Sequence, residues 1–254
     1  MSTCPICEGI VFTPYNGREN ARCARCGAKE RERLMALVLR KTALPSNGKL
    51  VYHFAPEDSI SKLLHDRYGS AYTPADLHPE IYQFAKGKVL KVDLAHPSKY
   101  LAKHSAFAVV HSHVLEHVFA PIDRVIKELN DAIVPGGYHF FQVPIQAGWY
   151  KEDLNPDLSR EDRDKRFGQF DHVRAFGAMD FSDRVLRLFD GFEQIRIAEI
   201  VSESDLVDAA IPVGSRSRLT GHSVFAFQKR KLPFLRKLID GLDIGRDRHI
   251  ELRS

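Results

Sequence analysis

From position 49 to 228, short apolar and β-branched runs alternate with stretches whose apolar residues recur every three or four positions. That alternation predicts a mainly parallel sheet covered by helices. The first strand is expected over 49–54. It runs into Ala55-Pro56-Glu57-Asp58-Ser59, where a proline and two acids suit the first turn of a helix. Ile60, Leu63 and Leu64 give that helix a buried face, and Gly69 stops it. Further strands are expected over 70–74, ending near Asp76, over 88–92, ending at Asp93, and over 106–112, which is nearly all apolar, as a strand covered on both faces should be. A helix over 121–133 carries Ile122, Val125, Ile126, Leu129 and Ile133 on one stripe and closes at Pro135-Gly136-Gly137. A fifth strand over 138–143, a helix over 181–189 and strands over 193–200 and 222–228 bring the count to seven.

Composition agrees with one sizeable core: 254 residues, 44% hydrophobic and 28% charged. No apolar run approaches bilayer length, and there is no low-complexity tract or repeat. The net charge of +4 is unevenly placed. Residues 1–46 and 228–254 each hold 8 Lys/Arg against 4 Asp/Glu, so both ends are basic and the middle is mildly acidic. Basic ends admit a nucleic-acid partner, although neither end forms an unbroken basic run.

All four cysteines lie in the first 26 residues, as Cys4-Pro-Ile-Cys7 and Cys23-Ala-Arg-Cys26. Two C-x2-C pairs fifteen residues apart, with Pro14, Asn16 and Gly17 to turn the chain between them, are the pattern of a structural four-thiolate zinc ribbon. Two disulfides would need an oxidising compartment, and residues 1–25 carry no basic-then-apolar leader, so a cytoplasmic protein is expected. A closed four-sulfur site holds structure and leaves chemistry to the rest of the chain. The predicted organisation is a ribbon over 1–30, a connecting helix over 31–46, a large domain over 47–228 with an inserted lid over 146–176, and a basic tail over 229–254. The helix carries Leu34, Leu37 and Val38 at helical spacing, and its docking would bring Arg31 and Arg33 towards the cleft, facing an anionic group. The tail's Leu232, Phe234, Leu235, Leu238, Ile239 and Leu242 form an amphipathic pattern suited to covering the sheet or pairing subunits.

Acids just past the second and third strands stand where open α/β sheets bind ligands. Asp76 is the candidate for both hydroxyls of a ribose, with Asp93-Leu94 beside the base, and together they favour a nucleoside-bearing cofactor. The series Val51-Tyr52-His53-Phe54-Ala55-Pro56-Glu57, Ala75-Asp76-Leu77, Val92-Asp93-Leu94, Ser112-His113-Val114-Leu115-Glu116-His117-Val118 and Val134-Pro135-Gly136-Gly137 resembles the class I S-adenosylmethionine-dependent methyltransferases over roughly 49–228. With the ribbon, Cys26-Gly27-Ala28-Lys29-Glu30-Arg31-Glu32-Arg33 and Gly168-Gln169-Phe170-Asp171-His172-Val173-Arg174, it looks like a bacterial subgroup of zinc-ribbon methyltransferases. The resemblance implies a Rossmann-like, seven-stranded, mainly parallel sheet flanked by helices. It also implies S-adenosylmethionine, with His53, Ala55, Glu57, Leu77 and His113 along the cofactor. The chain departs from the family where Ala55, Glu57 and Ser59 fill three glycine positions and His53 replaces the usual acid, which leaves room for a modified sulfonium donor.

Methyl transfer needs an aligned nucleophile and sometimes a base. His111 and His113 share one side of the fourth strand, and His117 follows in the turn as a further candidate base oriented by Glu116, or as a wall of the cofactor pocket. His113 and His117 alone lack a third metal ligand. In the lid, Asp171 is expected to orient His172 as general base, Arg174 to clamp an anionic acceptor, and Trp149 and Tyr150 to stack on it. The expected activity is methylation of a small anionic metabolite at oxygen, nitrogen or sulfur. The alternatives are an RNA methyltransferase gripping its substrate with the ribbon and basic ends, and a non-catalytic zinc scaffold.

Overall fold

The structure, a computed structural model, describes residues 2–42, 45–84, 89–213 and 219–231. At the start of the chain, β1 (Phe12–Tyr15) and β2 (Arg18–Cys23) pair as an antiparallel hairpin. Asn16 and Gly17 turn it at φ 48° and 72°, the left-handed region these residues tolerate best. The chain then enters α1 (Glu30–Lys41), β3 (Leu50–Phe54), α2 (Asp58–Tyr68), β4 (Tyr72–Asp76), β5 (Leu90–Lys91), β6 (Ala106–Ser112), α3 (Ile122–Ala132) and β7 (Ile133–Gln142). Next come β8 (Ile145–Gln146), β9 (Lys151–Glu152), α4 (Arg160–Phe167), β10 (Arg174–Gly177), α5 (Phe181–Arg184), β11 (Phe192–Ile195), α6 (Ile197–Ile200), α7 (Glu203–Asp208) and β12 (Phe225–Lys229).

The main sheet has seven strands in the order β11-β12-β7-β6-β3-β4-β5. All pairings from β7 to β5 are parallel, and β12 runs antiparallel to both its neighbours. The chain winds outward from β3 to β5 and then restarts on the other side with β6. The order therefore reverses between β3 and β6, which opens a crevice at their carboxyl ends. Every residue of β6 is buried, because both faces are covered. Ile122, Val125, Ile126 and Leu129 of α3 pack on one face, and Leu34, Val38, Ile60 and Leu64 of α1 and α2 on the other.

Several boundaries differ from expectation. Pro135-Gly136-Gly137 lies inside β7 rather than closing the helix, which already ends at Ala132. The pairing with β6 skips there, from Ala106 opposite Ile133 to Ala108 opposite Tyr138. Gly137 is required at that crossing: a Cβ would stand 2.5 Å from the Phe107 carbonyl oxygen. The sixth strand stops at Ile195 and residues 197–200 form α6 instead. The inserted lid is ordered: β10 pairs with β8 and β9 in a small sheet, and Ser159 caps α4 by accepting from the Asp162 amide at 3.1 Å. The expected amphipathic stretch over 232–254, and the subunit pairing suggested for it, lie outside the described residues.

Candidate functional site

At the end of β3 the chain turns through Ala55 at φ 48°, a left-handed conformation that costs an alanine roughly 1 kcal/mol. Its amide donates to the Ala75 carbonyl at 3.1 Å, which ties the turn to β4. Glu57 follows, with Oε2 3.1 Å from His53 Nε2, and His53 Nδ1 lies 3.2 Å from the Tyr72 hydroxyl. His53 is fully buried with both nitrogens engaged, so it positions Glu57 and does not itself reach a cofactor as expected. Burial raises the Glu57 pKa, but the bond and charge of His53 and the charge of Arg31 outweigh it and hold the carboxyl below its ordinary value.

Sequence reading missed a second carboxylate here. Glu32 of α1 accepts from Ser59 Oγ at 2.8 Å, and burial together with the Glu57 charge pushes its pKa up. It stands in a run that reads as surface charge, Lys29-Glu30-Arg31-Glu32-Arg33, and only the docking of α1 against the β3 turn brings it inside. Arg31 lies beside this pair, 4.0 Å from Glu32 Oε1, and its buried Nε has no hydrogen-bond partner among the described residues. Two acids and one incompletely bonded guanidinium thus stand together at the turn, with the charges to pair an ammonium and a carboxylate.

Asp76 and Asp93 sit on neighbouring tips: Asp76 pairs with Lys91, and the Val92 amide donates to the Asp76 carbonyl at 2.8 Å. Asp76 Oδ1 accepts from the His78 amide (2.7 Å) and Oδ2 from the Tyr82 hydroxyl (2.8 Å), so each oxygen retains a lone pair for a ribose. Asp93 Oδ1 accepts from the Ala95 amide at 2.8 Å. Leu94 is buried in the core and Leu77 is exposed.

At the tip of β6 the three histidines part company. His111 is fully buried, with Nε2 2.9 Å from His139 Nε2, and the other nitrogen of His139 meets Asn130 Oδ1 at 2.8 Å. Burial lowers the His111 pKa to about 3 and pulls His139 down as well, so both rings stay neutral. His113, at φ 53°, turns away to contact the Gly221 carbonyl through Nε2 at 2.8 Å and Glu116 Oε1 through Nδ1 at 3.5 Å. Both its ring nitrogens are therefore occupied, in place of the expected cofactor contact.

Glu116, His117 and His172 converge instead, with one donor atom of each within 4.8 Å of the other two. The His117 and His172 rings meet edge to face at 4.8 Å. Asp171 is not the partner of His172: its Oδ2 lies 3.4 Å from His117 Nδ1, and its Oδ1 accepts from Gln169 at 2.8 Å. His172 is nearly buried, and burial, helped by the nearby His117 charge, lowers its pKa against the pull of Glu116 and Asp171.

Arg174 is not an acceptor clamp. It is fully buried and donates to Glu152 Oε2 (2.8 Å) and to the carbonyls of Leu115, Val118 (2.8 Å) and Ala120 (2.5 Å). It thus pins the turn carrying Glu116 and His117 against β10, where the Val173 amide also donates to the Glu116 carbonyl at 2.9 Å. Tyr150 likewise donates to Glu152 (2.7 Å) and packs on Phe176 rather than facing a ligand, whereas Trp149 is 63% exposed.

Arg33 is the other correction. Fully buried, it donates to the carbonyls of Asn20, Ala21 and Ala28 in the ribbon and of Ala209 and Ala210 past α7, all within 3.0 Å. It fastens the ribbon to the domain and cannot also reach the cleft. The four cysteines fit a zinc ion: Sγ atoms of Cys4 and Cys26 are 3.7 Å apart and those of Cys7 and Cys23 3.6 Å. A tetrahedral ion on bonds of about 2.3 Å needs sulfurs about 3.8 Å apart. Gly9 passes close above, where a Cβ would stand 3.1 Å from Cys23 Sγ.

No protein-family model matches the chain, and no curated protein matches it in sequence. Among solved structures, an S-adenosylmethionine dependent methyltransferase from Mesorhizobium loti is similar over 80% of this chain and 98% of its own, at 15% identity and a TM-score of 0.51. The chain has the S-adenosylmethionine-dependent methyltransferase fold. Two other similar structures are a putative S-adenosylmethionine dependent methyltransferase from Listeria monocytogenes (15% identity, 80% and 97% covered, TM-score 0.48) and the 1,6-didemethyltoxoflavin-N1-methyltransferase of Burkholderia thailandensis (10% identity, 80% and 79% covered, TM-score 0.47). Among the described residues no helix is long and apolar enough to cross a membrane.

Proposed function

We propose that the protein is an S-adenosylmethionine-dependent methyltransferase acting on a small acceptor. One observation carries the reading: at the switch point of this fold, acids on adjacent strand tips, Asp76 and Asp93, flank a turn already furnished with Glu57, Glu32 and Arg31. In this reading Asp76 holds the ribose hydroxyls and Asp93 an exocyclic amine, while Glu57 and Glu32 receive the α-ammonium and Arg31 the carboxylate. Bound there, the sulfonium supplies a methyl carbon whose bond to sulfur breaks, its electron pair returning to sulfur, as an acceptor lone pair forms the new bond.

The acceptor belongs on the other side of the switch point, at the tip of β6. Burial keeps the His172 imidazole neutral, with a lone pair at that position. The lid, held by Arg174 and by Arg163, which donates to the Asn155 carbonyl at 2.7 Å, roofs that side and favours a small molecule over a polymer. With Arg174 taken up by the protein, an anionic acceptor has no support from it. Calorimetric titration with S-adenosylhomocysteine tests the donor half. The expected result is one site per chain, weakened at least tenfold by Asp76→Ala, which removes two acceptors from a ribose. Undiminished binding by that variant would place the nucleoside elsewhere.

A further inference from the structure

Glu116 is 1% exposed, and its Oε2 has no hydrogen-bond partner. Among the described residues, its Oε1 has His113 Nδ1 3.5 Å away, and His113 Nε2 is itself 2.8 Å from the Gly221 carbonyl oxygen. A buried carboxylate oxygen left without a hydrogen bond from the described residues is expensive, and the ordinary remedies are a cation or a metal. The buried guanidiniums of the lid are both engaged elsewhere: Arg174 gives its protons to Glu152 and three carbonyls, and Arg163 to the carbonyls of Leu158, His172 and Asn155.

The remaining neighbours are metal donors. One atom each of Glu116, His117 and His172 lies within 4.8 Å of the others. A first-row ion on bonds of about 2.1 Å wants adjacent donors about 3.0–3.4 Å apart, a distance that small side-chain rotations reach. The surroundings are those of a built site. Asp171 Oδ2 lies 3.4 Å from His117 Nδ1, the place a carboxylate takes behind a metal-bound histidine, and this arrangement would leave Nε2 as the ligand atom. Backbone bonding of Val173 to Glu116 and the four bonds of Arg174 fix the two donor segments, 116–117 and 172, against each other.

We propose that Glu116, His117 and His172 bind a divalent first-row cation, separate from the ribbon zinc, with coordination positions left open towards the acceptor side of the cleft. Two imidazoles and one carboxylate suit Zn2+, Mn2+, Co2+ or Fe2+ and leave a face for exchangeable oxygen ligands. Resting on the methyltransferase reading, the site narrows the acceptor to a molecule that presents an oxygen, a hydroxyl or carboxylate, to the ion. A cation-bound hydroxyl is acidified and releases its proton to solvent at the half-open His117 edge, so His172 serves as ligand and not as base.

The test is elemental analysis of the full chain after dialysis, in parallel, against Zn2+, Mn2+ and Co2+, beside Glu116→Gln and His117→Gln. His117 is exposed enough for its replacement to leave packing intact, and circular dichroism verifies the fold of both variants. We expect two bound ions per wild-type chain, the ribbon zinc and one more, with at least one of the metals, and a single ion in either variant. One ion per wild-type chain with all three metals, or two in both variants, overturns the site. S-adenosylhomocysteine titrated into the same samples separates the readings: binding without the second ion removes only the metal centre, while no binding removes the methyltransferase assignment.

Discussion

Single side chains at this site divide into those that face the cleft and those that hold others in place, and type alone does not say which. Arg174 and Arg33 have the residue type of an anion clamp, yet both are fully buried and bonded to backbone carbonyls. A guanidinium with five donors is well suited to gather scattered carbonyls where no regular ladder exists, and its removal leaves each of them unsatisfied. Arg174→Met is therefore expected to destabilise the fold by about 3–5 kcal/mol, because it strands Glu152 and frees the turn over 115–120. Urea denaturation checks this. A loss under 1 kcal/mol with intact packing would return Arg174 to the role of a ligand clamp. Asp76 and Asp93, by contrast, keep spare lone pairs after their turn-forming bonds, which is what a ligand-facing carboxylate requires.

At the level of the element, β6 carries both the core and the chemistry. The buried pair His111, on β6, against His139 of β7 is neutral in the fold, whereas each free imidazole titrates near pH 6.5. The unfolded chain thus binds more protons below that pH, and stability is present above it and lost as pH falls. Between pH 7 and pH 5 each ring contributes a loss of about 2 kcal/mol. Glu32, whose carboxyl is pushed up, acts in the opposite sense but is common to any variant of the pair. Urea denaturation of the wild type and His111→Phe at the two pH values should show the wild type losing about 2 kcal/mol more than the variant. Equal falls would mean that His111 is not held neutral.

The same elements show what a sequence can and cannot disclose. β6 was legible to the residue, because five consecutive apolar residues, Ala106 to Val110, run on through His111 and Ser112 between polar loops. The stripe of α3 was equally clear. The strand expected over 193–200 was only half right: β-branched Ile197 and Ile200 have strand propensity, but the chain turns into α6 once it leaves the sheet edge. The placement of Asp76 and Asp93 on neighbouring strand tips was readable, since topology puts them there. The acceptor side was not. Glu116 and His172 are 56 residues apart and meet only because Arg174 folds the lid back on the β6 tip, a contact with no periodicity to announce it. For the same reason Asp171 was assigned to its chain neighbour His172 rather than to His117 across the gap.

Across the whole molecule, the ribbon is part of the domain rather than an appendage. Arg33 bonds both, Glu30 is buried between Arg18 and His222, which with its hydrogen bonds draw its pKa down to about 2 against the effect of burial, and the Thr3 amide reaches the Asp208 carbonyl at 2.6 Å. Because α1 begins at this joint and carries Arg31 and Glu32 to the β3 turn, the cysteine cluster supports from a distance the place where Arg31, Glu32 and Glu57 meet. Ribbon, turn and strand tips then form one connected scaffold. The most direct test is a crystal structure of the protein with S-adenosylhomocysteine. The account predicts the ribose hydroxyls within hydrogen-bond distance of Asp76, the base beside Asp93 and Leu94, and the amino-acid end between Glu57, Glu32 and Arg31. A ligand bound away from the tips of β3, β4 and β5 would contradict it.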